Sequence, residues 1–265
     1  MQVTHLNIGK CGEYGIGNQL FQIASTIGIA KAHNIKWAFP KWKNNTYFKT
    51  PLPAFAPGAG VVVKEVSFDY FPYSIPKDSF VYMDGYFQSY KYFQDASVEV
   101  REALEFNEQL VLDIESALGA VISRQNTCSI SVRRGDYVNL QHIHPLQPDS
   151  YWSSSQKLLE EKVNIDTYLV FSDDIKWCRD NKHLFNSTGK KVIFFSGRHQ
   201  FDDLVGITLC KHNIITNSTF SWWGAWLNKN KDKIVIMPKT WFGVAGPWSG
   251  PSTGDDLRVK GWITV

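Results

Sequence analysis

Apolar residues along the chain fall into short runs typical of buried strands and longer stretches with helical spacing. The first run, residues 3–8, predicts a strand that enters a glycine-rich turn at residues 9–17, and the spacing over 18–33 predicts a helix. Further strands are predicted at residues 36–39, 61–66, 80–86, 128–132, 167–171, 191–195, 213–216 and 233–237. Helices are predicted at residues 91–104, 107–123, 149–162 with Asp149 as N-cap, 175–183, 201–211 and 219–228. This alternation is typical of an α/β fold with parallel sheets.

A break near residues 123–127 divides the pattern into two α/β halves, and we expect domains at 1–124 and 125–265. The tail, residues 241–265, is rich in Gly, Pro and Trp, and its crossing back onto the first domain is a hypothesis. Polar clusters follow the first strand and the strands that end at residues 132, 171 and 216. Because ligands of α/β sheets bind beyond the carboxyl ends of the strands, we expect these clusters to form one site.

Composition describes an ordinary globular protein. The chain has 28 Lys and Arg against 25 Asp and Glu, a net charge of +3, with 43% hydrophobic residues, which argues against disorder and against nucleic acid as a partner. Its four cysteines form no C-x-x-C pair, which argues against a zinc site and favours a reducing compartment. No signal peptide or long apolar run is recognised, so we expect a cytoplasmic protein.

The first cluster, Gly15-Ile16-Gly17-Asn18-Gln19, lies between the first strand and helix. Glycines there permit close approach of a ligand to the backbone, and the helix N-terminus favours an anion. The string is neither a P-loop nor G-x-G-x-x-G, and a tight turn capped by Asn18 explains it equally well.

The second cluster, Ser131-Val132-Arg133-Arg134-Gly135-Asp136-Tyr137, places two guanidiniums side by side at a strand end. Arginine binds phosphate in bidentate geometry, and anions neutralise such a pair. Asp136 is expected to orient one arginine and leave the other for a ligand, whereas a surface salt bridge is the alternative.

Two further clusters follow later strands. Asp173 is suited to a guanine edge or a ribose, although Asp173 or Asp174 equally suits a helix cap, and their pairing gives a weak metal hypothesis. Asn217, Ser218, Thr219 and Ser221 begin a helix whose hydroxyls and backbone N–H groups suit an anion, with simple capping as the alternative. The aromatic side chains Trp222, Trp223 and Trp226 are expected in the core or at a domain interface rather than under a sugar.

Five strings in this order resemble those of the bacterial α-1,2-fucosyltransferases, glycosyltransferase family 11: GIGNQLFQIA, GYFQSYKYF, SVRRGDYV, FSDD and CKHNIITNSTFSWWGAWLN. The resemblance implies a GT-B-like fold, in which two Rossmann-like domains face each other across a cleft, with the acceptor on the first and GDP-fucose on the second. It implies transfer of L-fucose from GDP-β-L-fucose to the 2-hydroxyl of a terminal galactose-type sugar, with inversion and without a bound metal or cofactor.

The same resemblance implies roles for individual residues. Arg133 matches the arginine expected on the donor's β-phosphate, with Arg134 and Asp136 supporting it. Positions near the diphosphate are matched by Ser218, Thr219 and Ser221. Asp173 matches a position that holds the guanine or the ribose. The loop that faces the donor sugar is matched by Gly17, Asn18 and Gln19. The general base is assigned to His144, with Asp136, His142 and Glu13 as alternatives. A late proton transfer with little help from a base, and a surface-loop role for His144, are the other interpretations.

One position departs from the family, whose motif usually begins with His where this chain has Ser131. Serine donates a hydrogen bond without positive charge, which puts donor affinity in question. Transfer to another hydroxyl and a catalytically silent GDP-sugar-binding protein are the alternatives. The acceptor is expected to be an oligosaccharide or lipid-linked glycan of O-antigen or capsule synthesis. The Trp-rich segments and basic residues are compatible with peripheral contact at the inner face of a bacterial membrane.

Overall fold

The chain forms two compact units of parallel β-sheet and helices in a computed structural model that describes residues 2–10, 14–76, 78–124, 126–246 and 254–265. The first unit comprises Met1–Glu108 with Gly254–Val259, and the second comprises Gln109–Thr253 with Lys260–Val265. Along the chain the first division between the units therefore falls at 108/109, where 124/125 was expected. Asp113 belongs to the second unit and pairs there with Arg198. Glu13, part of the break at 123–127 and part of the tail at 241–265 lie outside the described residues.

The sheet of the first unit has four described strands in the order β2-β1-β4-β3, with all pairs parallel. These are β1 (Gln2–His5), β2 (Lys36–Trp37), β3 (Gly60–Lys64) and β4 (Phe80–Asp84). Its helices are α1 (Ile16–Ala32) and α2 (Ser97–Ala103), with 3-10 turns at Lys43–Tyr47, Tyr90–Tyr92, Gln94–Ala96 and Asp255–Leu257. The central strands β1 and β4 end side by side, which brings the loops that follow them together.

The buried helix α1 forms the core of the first unit, since all but one of its residues from Ile16 to Ala30 are buried. Most of these residues are apolar, and the buried polar ones, such as Gln22 and Ser25, donate hydrogen bonds to backbone carbonyls. Gly28 allows the chain at Tyr92 and Phe93 to pass close by, because an added Cβ would overlap the Tyr92 carbonyl oxygen and lie 2.7 Å from the Cα of Phe93.

We expect Gly28→Ala to destabilise the protein by about 2 kcal/mol, since a methyl group forced against backbone atoms displaces α1 from its seat. Urea unfolding followed by circular dichroism measures this loss. Gly15→Ala is the matched control, because nothing lies within 4 Å of its Cβ position. Its cost as a capping position stays below about 1 kcal/mol. Equal midpoints for the two variants would contradict the prediction.

Asp256, on the segment that returns to the first unit, is only 5% exposed. Its carboxylate accepts hydrogen bonds from the backbone N–H of Tyr70 and from the Ser89 hydroxyl at 3.0 Å, and it pairs with Lys91. A buried carboxylate needs such donors, so these three groups hold the segment in place.

The sheet of the second unit has six described strands in the order β10-β9-β8-β5-β6-β7, again with all pairs parallel. These are β5 (Thr127–Val132), β6 (Thr167–Ser172), β7 (Lys191–Phe195), β8 (His212–Ile214), β9 (Val235–Met237) and β10 (Ile263–Thr264). The helices are α3 (Glu108–Leu118), α4 (Ala120–Arg124), α5 (Asp149–Glu160), α6 (Ile175–Asp180), α7 (Gln200–Leu209) and α8 (Thr219–Leu227). Counted from β5 the order is that of a Rossmann sheet, which confirms the predicted fold class.

Several predicted elements differ from those observed. The predicted helix at 91–104 is two 3-10 turns followed by α2, because Tyr92 and Phe93 turn into the core. The predicted helix at 107–123 is interrupted by Gly119 in the left-handed region (φ +56°). Asp149 is the first residue of α5 and Pro148 is its N-cap. The strand β10 was not predicted, since two residues give no alternation to detect.

Among the described residues, no helix combines the length and apolar character needed to cross a membrane.

Candidate active site

The sheet of the second unit changes direction between β5 and β8. From β5 the chain proceeds to β6 and β7 on one side, and from β8 to β9 and β10 on the other. The loops after β5 and β8 therefore diverge and leave a crevice at their carboxyl ends, where α/β sheets bind ligands. The predicted clusters at 131–137 and 217–221 lie on these two loops.

Arg133 lies directly after β5, between two carboxylates. Its Nη2 is 2.6 Å from Oδ1 of Asp136 and its Nη1 is 2.9 Å from Oδ2 of Asp173. The side chain is 38% exposed, and its guanidinium carbon lies 5.3 Å from the centre of the Tyr137 ring. The two ion pairs fix the guanidinium plane and leave further N–H donors for an anion.

Arg134 points to a different pair of groups. Its guanidinium carbon lies 3.9 Å from the centre of the Trp177 ring, and its Nε is 3.4 Å from Oδ2 of Asp174. Trp177 was missed in the sequence, although its place in the first turn of the helix capped by Asp174 brings it to the same strand end. The cation–π contact holds Arg134 away from Arg133, so the two guanidiniums do not share one role.

Asp173 binds protein groups and keeps part of its surface open, with its side chain 25% exposed. Besides the Arg133 guanidinium, it accepts a hydrogen bond of 2.9 Å from the backbone N–H of Arg134. A Cβ at Gly135 would lie 2.5 Å from its Oδ2, so a larger residue there would displace the Asp173 carboxylate. Asp174 caps α6 by accepting from the Trp177 N–H, which assigns the capping role to Asp174 rather than Asp173.

Asn217 is a buried hub that joins the loops on both sides of the crevice. Its Nδ2 donates to the carbonyl oxygens of Pro145 (3.0 Å) and Trp241 (3.1 Å). Its Oδ1 accepts from Gln147, and its backbone carbonyl accepts from the Tyr137 hydroxyl at 3.0 Å. The loop carrying Arg133 and the start of α8 are thus tied together through one amide.

The first turn of α8 contains no acidic residue, and its N-cap Ser218 makes no side-chain capping bond. The hydroxyl of Ser221 donates back to the carbonyl of Ser218 at 2.9 Å, while Thr219 opens the helix. Ser131, on β5, is 4% exposed, and its Oγ has no hydrogen-bond partner among the described residues. A helix start without an acidic group suits an anion. The unsatisfied Ser131 hydroxyl is available to a ligand at the end of β5.

The tryptophans of α8 belong to the core, as predicted. Trp222 and Trp223 are fully buried and Trp226 is 3% exposed. Gly224 packs on the Ile207 side chain of α7, so this face of α8 is fixed against its neighbour.

His144 stacks on Tyr137 with ring centroids 4.6 Å apart, and on the other side it meets Phe242 at 5.8 Å. Its Nδ1 is buried without a partner among the described residues. Burial lowers the pKa of its imidazole, and the nearby Asp136 opposes that shift. The side chain of His142, the other predicted histidine, lies in the same loop and is exposed.

Gly17 was predicted at the end of the glycine-rich turn, and Asn18 and Gln19 at the start of the first helix; all three, in the first unit, lie in the first turn of α1. The carbonyl of Gly15 accepts from the N–H groups of Asn18 and Gln19, so the helix begins without a side-chain cap. The Asn18 Oδ1 accepts from Gln88 at 2.8 Å, and Gln19 bridges the Tyr14 carbonyl and the Trp42 indole, both at 2.6 Å.

Within the described ranges, no group of three or more His, Cys, Asp or Glu side chains is placed to hold a metal ion.

The sequence profile described as glycosyl transferase family 11 matches residues 62–263, well over half of the chain. The chain belongs to glycosyltransferase family 11. An α-1,2-colitosyltransferase of Escherichia coli is 38% identical over 60% of this chain and 55% of its own length. The O-antigen biosynthesis glycosyltransferase WbnK of Escherichia coli is 31% identical over 66% of this chain and 60% of its own length. A galactoside 2-α-L-fucosyltransferase of Caenorhabditis elegans is 26% identical over 84% of this chain and 69% of its own length.

Solved fucosyltransferase structures share the fold of this family member. The structure of NodZ α-1,6-fucosyltransferase soaked with GDP-fucose aligns with 85% of this chain and with 92% of the NodZ chain, with a TM-score of 0.57 and 11% sequence identity. The structure of FUT1 of Arabidopsis thaliana in complex with GDP aligns with 89% of this chain and with 70% of the FUT1 chain, with a TM-score of 0.58 and 12% sequence identity. The predicted GT-B-like α/β fold is thereby confirmed. The chain spans less than two thirds of the length of the two Escherichia coli relatives it matches.

Proposed function

We propose that this family 11 glycosyltransferase moves an L-fucosyl group from GDP-β-L-fucose to the 2-hydroxyl of a terminal galactose-type sugar, with inversion. The observation that carries the proposal is the Arg133 guanidinium, held by Asp136 and Asp173 at the β5–β8 crevice. The galactoside 2-α-L-fucosyltransferase of Caenorhabditis elegans supports the linkage and the acceptor class.

The proposed chemistry breaks the bond between the anomeric carbon and the β-phosphate oxygen and leaves negative charge on the departing GDP. Arg133 neutralises that charge through the N–H groups not taken by its two carboxylates. The start of α8 adds backbone N–H groups and the hydroxyls of Ser218 and Thr219 to the diphosphate. The Ser221 hydroxyl, 1% exposed, donates to the Ser218 carbonyl and supports this helix start from within. Arg134 stabilises the loop through Trp177. In this scheme no bound metal or cofactor takes part.

For the general base we favour Asp136 over His144. Charging the imidazole of His144 requires a partner for its buried Nδ1, and none lies among the described residues. Asp136 has a side chain that is 53% exposed and open to an acceptor hydroxyl. His144 then supports the Tyr137 ring by stacking.

We expect His144→Phe, which preserves the stacked ring, to lose less than about fivefold in kcat, and Asp136→Asn to lose about 10². The affinity for GDP, measured by calorimetry, separates the roles of Asp136. A base leaves GDP affinity near that of the wild type, whereas a residue that only holds Arg133 lowers affinity and kcat together. A loss of 10² in His144→Phe would return the base to His144.

A colitosyl donor is the second candidate, favoured by the 38% identity to an α-1,2-colitosyltransferase. Both candidates place the same diphosphate against Arg133 and differ in the transferred sugar. Competition between the two nucleotide sugars in one reaction, read by mass spectrometry of the product, decides between them.

The experiment that tests the proposed function is release of GDP from GDP-fucose, with and without lactose, in the presence of a chelator. Release that rises with lactose and yields a 2-fucosylated product supports the proposal. Binding of GDP-fucose without release across a panel of galactosides would instead identify a silent GDP-sugar-binding protein, and Ser131 would be the first residue to replace. A fucosylated product of another linkage would overturn the 2-hydroxyl assignment alone.

We further propose that the enzyme acts in the cytoplasm, on oligosaccharide or lipid-linked acceptors of O-antigen or capsule synthesis at the inner face of the membrane. The Escherichia coli relative named for O-antigen biosynthesis supports this place. Sedimentation of the protein with anionic vesicles tests the membrane contact.

A further inference from the structure

The turn after β4, residues Gly85–Gln88, has its backbone bound by side chains from elsewhere in the first unit. The Glu65 carboxylate accepts from the N–H of Tyr86 at 2.7 Å and of Phe87 at 2.8 Å. Gln22 donates to the Gly85 carbonyl at 3.0 Å and Ser25 to the Phe87 carbonyl at 2.8 Å. Gln22 and Ser25 belong to α1, so three buried polar side chains bind the backbone of one turn.

These bonds hold a conformation that a free chain disfavours. Phe87 has a φ of +50°, which bulky residues rarely adopt, and Gly85 has a φ of +152°. A Cβ on Gly85 would collide with Glu65. Backbone strain of this kind persists where the surroundings enforce it and concentrates at functional sites.

The strained turn buries Phe87 and presents Tyr86. The Phe87 ring is fully buried against His5 and Tyr92, whereas Tyr86 is 39% exposed and meets Tyr14 edge to face at 5.3 Å. Gln88 directs its amide to Asn18 at the start of α1. Aromatic surface thus lies at the carboxyl ends of β1 and β4, and the Gln88 amide, 6% exposed, belongs to the same turn.

The chemistry of this edge differs from that of the β5–β8 crevice. Its described charged groups include the Asp84 carboxylate, beside Asn7 at 3.4 Å, Lys10, bonded to the same Asn7, and the buried Glu65 carboxylate that binds the turn. It has no arginine pair among the described residues, so it suits a neutral ligand rather than a diphosphate. Aromatic faces pack against the C–H faces of sugar rings, and amides bond hydroxyl groups.

We propose that Tyr86, Tyr14 and Gln88 bind the acceptor sugar, and that Glu65 is the positioning residue that holds the Gly85–Gln88 turn for this task. The proposal rests on the proposed function, since it names the place where that reaction takes its galactose-type substrate. Glu65 touches only the backbone of the turn and acts through Tyr86 and Gln88.

The first test is Tyr86→Ala, with transfer from GDP-fucose to lactose as the assay. We expect the KM for lactose to rise about tenfold, the effect of losing one packed aromatic contact, while the affinity for GDP changes less than about twofold. Val98→Ala is the control, because Val98 is an exposed apolar residue (64%) of α2 in the same unit, and α2 pairs through Glu99 with Lys31 at the other end of α1. Its KM for lactose should equal that of the wild type.

The second test is Glu65→Gln, in which one carbonyl oxygen replaces the two oxygens that serve Tyr86 and Phe87. Burial raises the pKa of Glu65 to about 7, with Asp84, Tyr73 and Tyr92 as the titratable groups around it. A protonated carboxyl loses one acceptor, so the wild-type KM for lactose should rise as the pH falls through about 7, while the variant keeps a raised KM that is flat from pH 6 to 8. A purely structural Glu65 would lower melting temperature without this profile.

The outcomes separate the two proposals. A wild-type protein that transfers fucose while Tyr86→Ala keeps a normal KM for lactose would overturn the acceptor subsite alone. A wild-type protein that binds GDP-fucose and transfers nothing to any galactoside would overturn the proposed function, and the acceptor subsite with it.

Discussion

Replacing Arg133 with alanine is expected to lower the kcat for fucosyl transfer by about 10³, because the guanidinium is the group that meets the charge developing on the departing diphosphate. The substitution also leaves the Asp136 and Asp173 carboxylates facing an anion without the cation between them. Their repulsion of GDP-fucose should raise the donor KM in the same variant. Release of GDP in the presence of lactose measures both parameters.

Two further variants make this result specific. Arg133→Lys keeps the charge but lacks the planar fork that reaches two carboxylates and a phosphate, so its kcat should fall between those of the wild type and the alanine variant. Arg179→Ala, at an exposed arginine of α6 in the same unit, is the matched control and should retain full activity. Near wild-type turnover in Arg133→Ala would remove the basis of the proposed mechanism.

Asn217→Ala is expected to destabilise the protein by about 3 kcal/mol, because it leaves the buried carbonyls of Pro145 and Trp241 and the amide of Gln147 without their partner. For a chain of this size that loss lowers the melting temperature by about 6–12 °C. Activity measured well below the melting temperature should fall as well, since the loop of Arg133 loses its tie to α8.

The charge-bearing variant Asn217→Asp should be worse than Asn217→Ala. A carboxylate cannot donate to the two carbonyls and would sit buried against their negative ends. Asn139→Ala, at an exposed asparagine of the same loop, should change stability by less than about 0.5 kcal/mol. A melting temperature for Asn217→Ala equal to that of Asn139→Ala would show that the hub does not stabilise the site.

The sequence predicts the α/β fold well because strand and helix periodicities are local properties. β7 at Lys191–Phe195 matches its predicted range in full, and β5 differs by a single residue. The exceptions have tertiary causes. The predicted helix is interrupted at Phe93 because its ring is buried in the core. The short strand β10 forms because it pairs with β9.

For the candidate site, the sequence predicts which residues lie near one another but not which side chains form ion pairs or hydrogen bonds. Arg133 and Asp136 are three residues apart, so their pairing is visible in the chain. The pairing of Arg133 with Asp173 spans two strands and depends on the register of β5 with β6. Glu65 shows no signal at all, since an isolated glutamate becomes informative only once the turn that it holds is seen.

Asp256 has a consequence for how the protein is made. Its donors are Tyr70, Ser89 and Lys91. During synthesis, Ser89 cannot form its hydrogen bond until Asp256, 167 positions later in the chain, has been made. At ordinary rates of translation that interval lasts on the order of ten seconds. We therefore expect the nascent first unit to remain open to proteases and chaperones until synthesis of the whole second sheet is almost complete, and to reach protease resistance only after residue 256 has left the ribosome.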